Sequence, residues 1–167
     1  MNMGMGQLEI RTADLDDPRI VDLLATHLRT MRAQSPPESV HALDIEQLRT
    51  ADLSIWAVWC DGVLYAIGAL KRLGGLHGEI KSMHTSGAAR RRGIATVLLA
   101  HILATARAEM LVRLSLETGS QPEFAPARAL YSLHGFNECA PFGDYVLDPN
   151  SVFMTLDLGT SPGAANA

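Results

Sequence analysis

The stretch "LSIWAVWCDGVLYAIGALKRL", residues 53–73, limits the fold more than any other part of the chain. Two runs rich in β-branched and aromatic residues flank Asp61-Gly62, and Asp-Gly suits the positive φ angles of a tight hairpin. An antiparallel pair is therefore expected here. Downstream, "GEIKSMHT" and "LVRLSLE" read as strands separated by "GIATVLLAHILATARAEM". In that segment Ile94, Val97, Leu98, His101, Ile102 and Thr105 trace one broad helical face. Two strands bridged by one helix point to a parallel pair. A sheet holding both kinds of pairing is expected.

The flanks extend the pattern. "QLEIRTA" reads as a first strand, followed by a helix in which Asp17 is the N-cap and Pro18 the first residue. Its apolar stripe is Ile20, Leu23, Leu24, Leu28 and Met31, with His27 among them, and "SPPES" stops it. A short helix is expected in "DIEQLRT", another in "APARALYSLHG" closed by Gly135, and final strands in "FNECAPF" and "SVFMTLDL". The order β-α-α-β-β-β-α-β-α-β-β makes an α+β (mixed α/β) fold with a central, mostly antiparallel sheet flanked by helices. With 167 residues and no shift in composition, the chain 1–167 reads as one domain, with residues 1–6 and 159–167 as flexible tails.

Composition excludes several classes. The formal net charge of −4 argues against general nucleic-acid binding, which needs a basic surface. Cys60 and Cys139 have neither CxxC spacing nor histidines at metal-ligand intervals, so idle thiols and no metal are expected. "MNMGMGQLEI" lacks the apolar core of a signal peptide, and no run approaches a membrane span. A cytoplasmic protein without membrane contact is the expectation.

Against that acidic background, "RRRGIAT" at Arg90–Thr96 sits at the start of a helix. A helix start leaves backbone N–H groups unpaired at the positive end of the dipole, and a glycine there admits a ligand to the backbone. Arg90, Arg91, Arg92, Gly93, Ile94, Ala95 and Thr96 thus have the parts of an oxyanion cradle, although the arginines alone also fit a solvated charge run. There is no GxxxxGK[ST] and no GxGxxG, so neither a P-loop nor a dinucleotide fold is supported.

The turn Arg90-x-x-Gly93-x-Ala95, an apolar helix, a strand, and then Ala129-Leu130-Tyr131-x-x-x-Gly135-Phe136 together resemble the GNAT superfamily of acetyl-CoA-dependent N-acetyltransferases. The resemblance spans about Gly78 to Phe136, with a small bacterial subgroup as the nearest likeness. It implies the GNAT acyl-CoA N-acyltransferase fold, with acetyl-CoA as co-substrate and its pyrophosphate on the Arg91–Thr96 amides. The strand end Met83, His84 and Thr85 would pair through its backbone with the pantetheine arm. Tyr131 matches the family's general acid. Two carboxylates compete as base: Glu79, matching the histone-acetylating branch, and Glu117, matching the ribosomal-protein branch. Glu117 departs from its branch, since Phe124 stands where asparagine is usual. Glu79 is the preferred base, although an exposed strand carboxylate paired with Lys81 or Arg113 fits it as well. For the acceptor, Glu38, His41, Ser35 and Ser39 between the first helices, and Asp144 and Tyr145 near the C-terminus, are the candidates; His84 and His134 are further polar contacts. The implied reaction is acetyl transfer to a primary amine of a small molecule, an amino acid or related metabolite. A peptide acceptor and a non-catalytic acyl-CoA-binding module are the alternatives. Homodimers are common in the family.

Overall fold

In a computed structural model the described residues are 6–50, 52–89 and 92–159. The expected tails fall almost wholly on residues 1–5 and 160–167, and Arg90 and Arg91 also lie outside the described residues. The elements are β1 (Leu8–Thr12), α1 (Pro18–Gln34), β2 (Leu53–Cys60), β3 (Val63–Gly74), β4 (His77–Thr85), α2 (Ile94–Ala108), β5 (Arg113–Gly119), α3 (Ala125–Leu133), β6 (Asn137–Cys139) and β7 (Ser151–Asp157). The seven strands form one sheet in the order β1-β2-β3-β4-β5-β7-β6. Among the described residues only β4 and β5 pair in parallel, and α2 crosses between them. Among the described residues no helix is long and apolar enough to cross a membrane.

Local chemistry explains the boundaries. The hairpin turns at Asp61 (φ 49°) and Gly62 (φ 77°), as the Asp-Gly pair demands. The Asp17 carboxylate accepts from Arg19 N at 2.9 Å and opens α1 with Pro18 in its first turn. Two expected elements are smaller than the sequence suggests. "DIEQLRT" forms one 3₁₀ turn, Gln47–Arg49, in place of an α-helix. Reciprocal bonds between Asp44 and Gln47 close the turn at 2.8 and 2.9 Å, and Leu48 alone plugs into the core. "FNECAPF" pairs over three residues only, before Pro141 removes a ladder donor.

The sheet buries both faces. Leu98, Leu99 and Ile102 of α2 pack with Leu70, Ile80, Leu114 and Leu116, and Tyr131 of α3 joins this core. On the other face, Ile20 and Leu24 of α1 cover Ile55, Ala57, Ile67 and Ala69. The second half of that face carries Glu79, Lys81, Ser115 and Glu117, beyond the apolar cover of α1. At Gly68 an added Cβ would lie 2.6 Å from Met83 Sδ and 3.0 Å from Leu98 Cδ2, so α2 sits as close as the missing side chain permits. Ile102 has no exposed surface, and Ile102→Ala is expected to cost about 2–5 kcal/mol in urea unfolding. A cost below about 1 kcal/mol would mean that α2 is not the keystone of this core.

Candidate active site

The site begins where the parallel pair ends. Ile80 opposite Leu116 is the last pair between β4 and β5. Beyond it β4 runs on to Thr85 with β3, while β5 runs on to Gly119 with β7. The two strands therefore part, and among the described residues the edge of β4 facing the gap has no strand partner there.

A bulge re-aims the side chains at this point. Ile67 faces His84 but Ala69 faces Lys81, so β4 carries one extra residue, and Ser82 takes φ 55°. Before the bulge, Gly78 and Ile80 point to the α2 core, while Glu79 and Lys81 point the opposite way. After it, Met83 packs toward α2 and His84 turns to α1, where its Nδ1 lies 3.2 Å from His27 Nδ1.

A cavity of about 120 Å³ occupies the parting. Its walls include Glu79, Lys81, Glu117, Tyr131, Tyr145 and His27. Tyr131 reaches it from the α2/α3 side, and Glu79, Lys81 and Tyr145 from the other, so the opening connects the two faces. Glu79 is 3% exposed. Its Oε2 accepts from the Tyr145 hydroxyl at 2.5 Å and from Lys81 Nζ at 3.2 Å, and Lys81 Nζ also donates to Tyr145 Oη at 2.9 Å. The phenol of Tyr145 is wedged among His41, Phe142 and Phe153, with ring centroids 5.0, 5.1 and 5.5 Å away. The Ser39 hydroxyl donates to Asp148 Oδ2 at 2.5 Å and ties the 36–42 loop to the 140–150 loop.

Electrostatics separates the two carboxylates. Burial pushes Glu117 up to about 7, with Glu79 and Asp148 adding repulsion, while Ser151 and Lys81 pull the other way. Glu79 instead holds Lys81 Nζ and the Tyr145 hydroxyl on its Oε2. Burial raises Tyr131 above the ordinary phenol range, and burial and Glu79 do the same for Tyr145, so both stay protonated at neutral pH. Burial, and the neighbouring His84, bring His27 down to about 4 and keep it neutral.

The sequence-based candidates divide accordingly. Glu79, Glu117, Tyr131, Tyr145, His41, Ser35, Ser39 and Met83 line the cavity. Glu38 and Asp144 do not: both are exposed, Glu38 on a 3₁₀ turn and Asp144 on the outer side of its loop. His134 bonds Leu130 O at 2.9 Å at the end of α3, outside the lining. At the helix start, Gly93 has φ 75° and nothing within 4 Å of an added Cβ. Ile94 puts its side chain in the core, leaving only its backbone to a ligand, while Arg92 and Thr96 are exposed and Ala95 half-buried. His84 lies against His27, and Thr85 pairs with Ala66 in β3. Three participants escaped the sequence reading. Lys81 was visible only as a partner for Glu79, His27 only as a polar residue on an apolar stripe, and Asp148 gave no signal.

The fold is similar to that of solved acyl-CoA N-acyltransferases. One such protein from Klebsiella pneumoniae subsp. pneumoniae MGH 78578 has a TM-score of 0.77 and 27% identity, covering 92% of this chain and 99% of its own. The family model for the Acetyltransferase (GNAT) family matches residues 20–136. The uncharacterised N-acetyltransferase YedL of Escherichia coli K12 is 50% identical over 149 residues, 89% of this chain and 94% of its own. The uncharacterised N-acetyltransferase YsnE of Bacillus subtilis 168 is 48% identical over 151 residues, 90% of this chain and 100% of its own. The chain belongs to the GNAT family and is an acyltransferase of the N-acetyltransferase type.

Proposed function

We propose that the protein moves the acetyl group of acetyl-CoA to the primary amine of a small molecule, an amino acid or related metabolite. The observation that carries this reading is the cavity at the parting of β4 and β5, where Glu117 and Tyr131 line one space. Acetyl-CoA, when bound, supplies the acetyl group activated as a thioester. The residues present suit it. Gly93 leaves open space over the first-turn amides of α2, and the free edge of β4 offers backbone groups to an extended arm. A Bacillus subtilis acetyltransferase of this fold, with a TM-score of 0.67 and 15% identity, is solved in complex with CoA.

An alkyl ammonium has a pKa of roughly 10 and must lose a proton before it can attack. In this reading Glu117 takes that proton, because a base serves best with a pKa near the working pH. This reverses the preference for Glu79, whose Oε2 is already engaged by Lys81 and Tyr145. As the C–N bond forms and the C–S bond breaks, Tyr131 gives its phenolic proton to the departing thiolate, and the second proton shed by the acylated nitrogen returns to the Tyr131 phenolate. Two substrates held together need no enzyme nucleophile, and Cys60 and Cys139 are free thiols that the scheme does not use. A small acceptor suits the space: the cavity holds about 120 Å³, and the Ser39–Asp148 bond and the His41–Tyr145 contact join the two loops beside it.

Incubating the protein with acetyl-CoA and a panel of amino acids, polyamines and short peptides, with thiol release as readout, tests the proposal. Release with small amines supports it. Release with peptides alone moves the assignment to a peptide acceptor, and tight CoA binding without turnover of any acceptor contradicts the reading. Gly93→Val is a separate check, since φ 75° strains a β-branched residue and its methyls enter the space kept for the ligand. CoA affinity is expected to fall by about tenfold or more in calorimetry. Unchanged affinity would remove the cradle from α2.

A further inference from the structure

We infer that Lys81 anchors a carboxylate on the acceptor, so that the amine acetylated here belongs to a zwitterion of the amino-acid class. This rests on the acetyltransferase reading above and adds a specificity residue to it. An ammonium has three N–H donors and no acceptor. Lys81 commits one to Glu79 Oε2 and one to Tyr145 Oη. The third has no protein partner among the described residues, yet only 9% of the side chain is exposed and the residue forms part of the cavity wall. A buried ion pair repays its desolvation only when its remaining donors are satisfied. Among the described residues, both bonds that Glu79 accepts fall on Oε2.

The charges and the register choose the ligand. Glu79 and Lys81 cancel, and Tyr145 stays neutral, which leaves Glu117 to meet the ammonium. An acceptor bearing only an ammonium leaves the third Lys81 donor without an oxygen to meet. One with a carboxylate beside its amine gives Lys81 the acceptor oxygen it lacks. Lys81 and Glu117 are the residues that follow the last β4–β5 pair on their respective strands. Both side chains line the same cavity, so an acceptor held there can set its carboxylate on one and its ammonium on the other.

The test uses wild-type enzyme with acetyl-CoA and matched acceptors, amino acids against their primary amides, which replace the carboxylate by a neutral group of nearly the same shape, with rates compared per neutral amine because the amide's amine is the less basic. Wild type is expected to favour the acids by about tenfold to a hundredfold in kcat/KM, the scale of one charge-assisted hydrogen bond. Lys81→Met should bring that ratio near one, chiefly through KM for the acids, and Lys81→Arg should restore much of it. The double variant Lys81→Met/Glu79→Gln removes both charges together, and it should show the same lost preference even if Lys81→Met alone folds poorly. Equal use of acids and amides by wild type, or a preference that survives in Lys81→Met or in the double variant, overturns the inference and leaves the acetyltransferase reading standing. No turnover of either class, with CoA still bound, overturns the reading beneath it.

Discussion

Glu117→Gln is expected to lower kcat/KM for the amine by about 10²–10⁴-fold, the usual scale for loss of a positioned general base. CoA affinity should not change, because the proposed CoA-binding elements are the free edge of β4 and the start of α2 rather than the β5 carboxyl. The variant also has a stability signature. Glu117 has a folded pKa of about 7 against 4.5 for the free side chain, so its neutral form is the one the fold prefers. Its contribution to stability is complete below about pH 4.5 and is lost as pH rises through about 7. Glutamine cannot ionise, and Glu117→Gln is therefore expected to melt no lower than wild type above pH 7 while being nearly inactive. Thermal melts at pH 5 and pH 8 beside the turnover assay check both statements. A variant that loses activity only because it unfolds would contradict them.

Removing Glu79 should produce the opposite pattern. Glu79→Ala leaves the Lys81 ammonium buried without its counter-charge and removes the acceptor that Tyr145 uses. Breaking one side of a buried ion pair costs about 3–5 kcal/mol, a large part of the stability of a domain this size. Urea unfolding should show that loss. The milder Glu79→Gln keeps an oxygen for Tyr145 and should retain far more turnover than Glu117→Gln. If Glu79→Gln folds like wild type and abolishes turnover, the base is Glu79 and the roles of the two carboxylates are exchanged.

What could be read in advance had a local cause. Asp61-Gly62, Pro18 and the Gly93 junction each announce a backbone geometry within a few residues, and each forms as expected. The parallel crossover follows from two strand patterns and one helical pattern between them. The short helix at "DIEQLRT" misled because a reciprocal Asp44–Gln47 turn and a helix start look alike in sequence. The site was legible as a set of residue types, not as a geometry. Ser82 gives no warning that it will take φ 55°, since only the pairing of β4 with β3 imposes the bulge. Without that bulge the alternation of Glu79, Lys81 and Met83 would put all three on one face. The choice between Glu79 and Glu117 likewise turns on burial and on Tyr145, which arrives from a loop 66 residues away in the chain. Glu38 and Asp144 have the right chemistry for an acceptor pocket, but their loops turn them to solvent.

In the proposed reaction, acetyl transfer at the parting of β4 and β5 depends on Glu117 as the proton acceptor. Its most direct test is the pH dependence of kcat/KM under saturating acetyl-CoA, compared between wild type and Glu117→Gln. Only the carboxylate form can accept the proton, so wild-type activity should rise through an apparent pKa near 7. The residual activity of the variant should lack that limb. The same limb in both proteins would contradict the account.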